Sequence, residues 1–206
     1  IDSRALDYNS KDIKNILFKK RPEIVFIASE PYDFYQCPNP SLISFYETIT
    51  AAKEAGVSEI VSMGPQATIF DNNLLTNTAL THIIKGDDPI TAAEVIKNIF
   101  LNQEFNFANV SYKKENNIIL GINKSLTNLD QLPVGDYSLL PMEKYSANMD
   151  VFSNKKFAVM TTSRGCPFQC QYCFKNLIGD QVRAMSLTRI KSELDELILK
   201  NKIEAI

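Results

Sequence analysis

The chain has 206 residues, 45% of them apolar, which is enough for one full domain with a real core and part of another. Its net charge is −2 and no basic block occurs, so nucleic acid is not expected as a partner. No apolar run approaches membrane-spanning length and no signal peptide opens the chain, so a membrane is not expected either. The chain starts at Ile1 and stops at Ile206 within a strand-like run, and it reads as a piece of a longer protein.

Strand and helix signals alternate through the first hundred residues. Ser10 can cap a helix with Ile13, Ile16 and Leu17 as its apolar stripe, stopped before Pro22. Residues 23–28 form a continuous apolar run, as expected of a parallel strand covered on both faces. Ser41 can cap the next helix, which places Leu42, Phe45, Ile49 and Ala52 on one face and Gly56 just past its end. Residues 59–63 read as a strand, a short helix is expected around residues 73–78, and residues 81–85 read as another strand. Asp88 then caps a helix with Pro89 at its first position and Ala92, Val95, Ile96 and Ile99 inside. This spacing predicts a doubly wound parallel α/β sheet over residues 1–102. Ligands of such sheets bind beyond the carboxyl ends of the strands, here at residues 29–39, 64–71 and 86–89.

Residues 103–156 read as a bridge, with a hairpin at 110–112 and 117–120 turning at Glu115 and Asn116, followed by a linker running to Pro141. Residues 157–206 read as the start of a second domain. A strand over 157–161 is followed by a helix that Ser186 caps, with Leu187, Ile190, Leu194 and Leu197 as its inward stripe. A second strand begins at Ile203.

Between that first strand and Ser186 lie Cys166, Cys170 and Cys173, spaced Cys-x3-Cys-x2-Cys, with Tyr172 directly before the last. Three thiols so close cannot all pair as disulfides, and short loops of this kind wrap around a metal centre. Thiolates are soft ligands that select iron–sulfur clusters, zinc or Cu(I). Three is one short of a closed tetrahedral zinc site. A 4Fe–4S cluster on three cysteines keeps one iron open. With three of its four cysteines in one cluster motif, the chain is expected in a reducing, cytoplasmic compartment.

The stretch from Thr161 to Cys173 resembles the cluster loop of radical S-adenosylmethionine (SAM) enzymes, and more narrowly the subfamily with an upstream cobalamin-binding domain. Gly64-Pro65-Gln66-Ala67-Thr68 looks like the Gly-Pro-His-Ala-Thr turn of those cobalamin domains. Gly86-Asp87-Asp88-Pro89 resembles their Gly-Glu-Gly-Glu turn with departures, and Pro22-Glu23-Ile24-Val25 their Pro-Asp-Ile-Val lead-in. The 128–133 stretch resembles the family's Leu-Asp-Pro connection.

The resemblance implies a Rossmann-like cobalamin-binding sheet followed by the start of a partial (β/α) radical SAM barrel. It implies a 4Fe–4S cluster on Cys166, Cys170 and Cys173, SAM on the open iron with Tyr172 near the adenine, and cobalamin near Ser29, Gly64, Pro65, Gln66 and Gly86. Glycine suits places where backbone approaches a large planar ligand. The implied activity is cleavage of SAM to a 5′-deoxyadenosyl radical that abstracts hydrogen from an unactivated carbon of a small-molecule substrate, with methylcobalamin then supplying the methyl group to that carbon. An electron donor such as flavodoxin or ferredoxin would supply the electron. The substrate, and the family's SAM-amino contact after the second barrel strand, lie outside what these residues indicate.

Two other readings stay open. The same cofactors serve radical rearrangement or cyclisation, and the cysteines alone would fit a non-enzymatic zinc or iron–sulfur module whose fourth ligand is Cys37 or His82. His82 is the only histidine. Some cobalamin domains bind cobalt through Asp-x-His-x-x-Gly, but Leu80 and Lys85 stand at the Asp and Gly positions here, so His82 is expected to be structural. Cys37, Tyr32, Phe34 and Tyr35 are expected to be incidental or packing residues of the 29–39 loop. Arg183 stands where the family often has an arginine.

Overall fold

The computed structural model describes residues 1–3, 5–29, 42–104, 106–115, 117–145, 155–173 and 179–206. The capping role expected of Ser41, the loop residues Tyr32, Phe34, Tyr35 and Cys37, and the hairpin turn at Asn116 lie outside these residues. The chain forms two compact units. One consists of residues 10–126 and 166–180, the other of residues 1–9, 127–165 and 181–206.

The first unit runs α1 (Ser10–Lys20), β1 (Ile24–Ala28), α2 (Ile43–Glu54), β2 (Glu59–Met63), α3 (Pro65–Ile69), α4 (Asp71–Asn77), β3 (His82–Ile84), α5 (Pro89–Phe100), β4 (Val110–Lys114) and β5 (Asn117–Ile119). One sheet has the order β1-β2-β3-β4-β5. Its first three strands are parallel and the hairpin β4–β5 adds antiparallel. Side chains alternate across a strand, so Ile60 and Ile83 pack with Ile13, Leu17, Phe45, Ile49, Leu74 and Leu75 under α1, α2 and α4. Val61 and Ile84 face the other way, against Ala92 and Val95 of α5. Helices on both faces of a largely parallel sheet make this a doubly wound, Rossmann-like α/β layer.

Local signals explain the element ends. Asp88 accepts hydrogen bonds from the Thr91 N–H at 3.2 Å and the Thr91 hydroxyl at 2.9 Å, which caps α5 above Pro89. The N–H groups of Gly56 and Val57 bond back to the carbonyls of Lys53 and Ala52 and close α2. α4 stands where a helix was expected around 73–78, and Pro65 starts a further short helix, α3, directly after Gly64. The apolar run 23–28 is not covered on both faces, since β1 is an edge strand with one neighbour and Phe26 is 43% exposed. The hairpin pairs with β3, and the compact unit that holds the sheet runs on to Leu126.

The second unit carries β6 (Ser163–Arg164) antiparallel to β7 (Arg183–Ala184), and α6 (Leu187–Asp195) running into a π-helical turn at Glu196–Lys200. Ser186 caps α6, its hydroxyl accepting from the Arg189 N–H at 3.1 Å. A single parallel bridge joins Phe157 to Ala205 on either side of α6. The expected strand 157–161 is reduced to that bridge, with Val159 73% exposed. Leu197, expected inward, is buried in the π-helical turn, but Leu187 is 84% exposed, and the buried residue of α6 is the unexpected Glu193.

Glu193 is buried because its charge is fully matched. One oxygen accepts from the Tyr137 hydroxyl at 2.9 Å and the other from Arg189 at 2.6 Å. Arg189 also donates to the carbonyls of Leu132 and Pro133, which straps residues 132–137 onto α6. Burial and the bond to Glu193 raise the Tyr137 hydroxyl to about 12. Burial and a 2.6 Å bond to Asp2 raise Tyr145 to about 12 as well. Both tyrosines ionise near pH 10 when unfolded. Their contribution is therefore complete below about pH 10 and drains as pH rises through about 12. Denaturant unfolding is expected to show stability falling across that window with a slope of about two protons. Tyr137→Phe should remove about one of them, and an unchanged slope would contradict the assignment.

Candidate functional site

The parallel register aligns Ala28 with Met63 and Met63 with Ile84, so β1, β2 and β3 end at one edge. Ser29 and Gly64 are the next residues along their strands, and Gly86 lies two beyond Ile84. Adjacent strands lie about 4.8 Å apart, so Ser29, Gly64 and Gly86 form a row across this edge.

Side chains stitch the row together. The Ser29 hydroxyl donates to the Met63 carbonyl at 3.1 Å and accepts from the Ala67 N–H at 3.0 Å. The Thr68 hydroxyl accepts from the Gly86 N–H at 3.1 Å. Ser29 is thus a staple between the first two loops, and Thr68 between the second and third. Gly64 adopts φ +118, and a Cβ there would lie 2.8 Å from the Ser29 hydroxyl oxygen. Gly86 adopts φ +90, and a Cβ would lie 2.0 Å from the Lys124 carbonyl oxygen. Both glycines are required by the protein's own chain, independently of any ligand.

Pro65 begins α3, and Gln66 follows it in the first turn of that helix. The Gln66 side-chain oxygen is buried with no hydrogen-bond partner among the described residues. A buried orphan acceptor costs about 1–3 kcal/mol. A donor from a bound ligand, such as an amide N–H, or an ordered water would satisfy it. Thr68 and Asp71 lie in the 64–71 loop that the sequence marked, but Asn109 and Ser111, beneath this row, were missed. The available signal was Lys85, a charge closing an apolar strand one residue before Gly86.

The cysteine loop is the other half of the set of residues that the sequence marks out. Cys166, Cys170 and Cys173 are free thiols; Cys166 is half-buried and the other two are exposed. The Cys166 N–H bonds the Gly179 carbonyl at 3.2 Å, and the Cys173 N–H bonds Cys170 at 3.1 Å. Among the described residues no three His, Cys, Asp or Glu side chains gather around a metal position. The donor set nonetheless fits a soft metal centre, with three thiols free of disulfides and no core packing to disturb. Tyr172 is 92% exposed, so its ring is available to a ligand and is not core packing.

His82 belongs to neither half. It opens β3 at the amino end, roughly 10 Å of strand away from Lys85 at about 3.3 Å per residue. Its Nδ1 lies 2.9 Å from the Thr81 hydroxyl and 3.3 Å from Glu59, and its ring stacks on Tyr112 with centroids 5.9 Å apart. That approach holds the Glu59 carboxyl below the usual range. Arg183 pairs through β7 with Arg164.

No protein-family model matches the chain. Over its whole length the chain is 29% identical to an uncharacterized methyltransferase of Pyrococcus horikoshii, and it spans 43% of that protein. It shares its fold with TsrM of Kitasatospora setae, a radical S-adenosylmethionine methyltransferase. Against TsrM solved with cobalamin and a 4Fe–4S cluster bound, the TM-score is 0.69 at 16% identity, covering 93% of this chain and 38% of that one. Against TsrM with tryptophan substrate and a SAM analogue bound, it is 0.71 at 14% identity, covering 100% and 40%. The chain therefore spans less than half the length of the proteins it resembles. No helix among the described residues is long and apolar enough to cross a membrane.

Proposed function

We propose that the chain is part of a cobalamin-dependent radical SAM enzyme that methylates an unactivated carbon of a small-molecule substrate. The observation that carries this reading is the set of three free thiols within eight residues, with the Tyr172 ring open beside them. The fold shared with TsrM and the methyltransferase relative support it. When bound, a 4Fe–4S cluster supplies the electron that cleaves SAM and cobalamin supplies the methyl group.

The chain's own residues bind and orient these groups. Cys166, Cys170 and Cys173 would hold the cluster, which would bind SAM. The Tyr172 ring offers apolar area to the adenine. Ser29, Gly64, Pro65, Gln66 and Gly86 form the floor for cobalamin, Gln66 accepting from one of its amides and the two glycines keeping the backbone flat. His82 is engaged with Glu59, Thr81 and Tyr112 at the far end of β3 and gives no nitrogen to the cobalt. Such chemistry needs a reducing, cytoplasmic setting and a protein electron donor such as flavodoxin or ferredoxin.

Tyr172→Ala tests the SAM half. It is expected to weaken SAM binding to anaerobically reconstituted protein by about tenfold, the loss of most of one aromatic contact. Iron content and thermal unfolding should stay unchanged, since the ring packs on nothing in the protein. Wild-type SAM affinity in this variant would rule out the contact.

A further inference from the structure

The end of β3 is held by far more than its ladder. The Lys85 N–H donates to the Asn109 carbonyl at 2.8 Å, and the Asn109 amide reaches the Lys85 carbonyl at 3.5 Å. The Lys85 ammonium donates to Asp71 Oδ2 at 2.8 Å. The same oxygen accepts from the Ser111 hydroxyl at 2.7 Å, and Ser111 Oγ in turn accepts from the Gly121 N–H at 2.9 Å. The Lys85 and Asp71 side chains are only 16% and 10% exposed, and Ser111 is fully buried. A buried ion pair thus joins the end of β3, the start of α4 and the middle of β4, one residue before Gly86.

Stability alone does not account for a pair in this place. Desolvating two charges offsets much of their attraction, and apolar residues of similar volume often serve as well. What apolar residues cannot do is fix direction. Lys85 is anchored by both main chain and side chain, so Gly86 has one position, and its N–H meets Thr68 there. Lys124 lies against its other side, where even a methyl group does not fit.

We infer that Asp71, Lys85 and Ser111 are positioning residues that hold the Gly86 turn level with the Gly64–Gln66 turn, so that the two present one flat floor to a corrin ring. This inference rests on the cobalamin reading above for its ligand, and on the hydrogen-bond geometry for its mechanics.

The test uses the enzyme of which this chain is part, titrated with hydroxocobalamin by visible absorption, and amide hydrogen exchange over residues 85–88. Lys85→Met is expected to lower the melting temperature, raise the Kd for hydroxocobalamin at least about tenfold and speed exchange at Gly86 and Asp87. The double variant Asp71→Leu/Lys85→Met removes the stranded charge. It should recover the melting temperature while binding stays weak and exchange stays fast. Lys85→Arg keeps the charge and should restore most of the affinity. A double variant that binds and exchanges like the wild type would show that the pair matters only as a buried charge, and would overturn the inference. If the wild type binds no hydroxocobalamin, the cobalamin reading and the ligand clause fall together. The exchange arm then decides the rest: fast exchange at Gly86 in the folded double variant upholds the positioning of the turn, and unchanged exchange overturns it.

Discussion

Alanine at Cys166, Cys170 or Cys173 is expected to leave the anaerobically reconstituted protein without a stable iron–sulfur cluster. A cubane held at two corners exchanges its remaining ligands with solvent and decays, so each single substitution should cost nearly all of the bound iron and sulfide. The fold should not suffer, because Cys170 and Cys173 are exposed and none of the three is bonded to another cysteine. The two effects are measured separately, as iron and sulfide per chain and as thermal unfolding. Cys37→Ala is the control and should keep the wild-type cluster content. Full iron in any loop variant, or loss of iron in the Cys37 variant, would overturn the ligand assignment. Zinc in place of iron, retained through aerobic purification, would favour the metal-binding module instead.

Gly86→Ala is expected to have the largest effect on the fold. The residue sits at φ +90, a region that costs an L-residue about 1–3 kcal/mol. The added Cβ would also lie 2.0 Å from the Lys124 carbonyl oxygen and 2.8 Å from its carbonyl carbon. Those are backbone atoms, so no rotamer change relieves the clash; the 121–126 segment itself must move. Overpacking of this kind adds about 1–3 kcal/mol, for a total of order 3 kcal/mol or more, read as a drop in the urea midpoint. Gly64→Ala should cost less. Its nearest neighbour is the Ser29 hydroxyl at 2.8 Å, the end of a side chain, while the Ser29 backbone stands off at 3.2 Å. Equal midpoints for Gly86→Ala and the wild type would show that the turn is loose, and would undermine the flat floor proposed for cobalamin.

Signals confined to one turn of chain were readable from the residues themselves. Asp88 and Ser186 cap α5 and α6 because a carboxylate or hydroxyl three residues before a free N–H has only one geometry open to it. The Cys-x3-Cys-x2-Cys loop and the strand–helix alternation are equally local, and so is the hairpin at 110–119. Contacts between distant segments were not readable. Lys85 meets Asp71 across 14 residues and Ser111 meets Asp71 across 40, and nothing in either neighbourhood marks the other. The burial of Glu193 is unreadable for the same reason: its partner Tyr137 is 56 residues away, and an acidic residue on an exposed-looking helix reads as surface. Periodicity likewise placed Leu187 inward, but only the packed strap of residues 132–137 decides which side of α6 is covered. The residues by themselves determined the strand–helix alternation of the α/β sheet and the helix caps at Asp88 and Ser186. The tertiary structure decided which polar groups are buried and matched, because satisfying a buried charge or amide depends on where the chain returns in space.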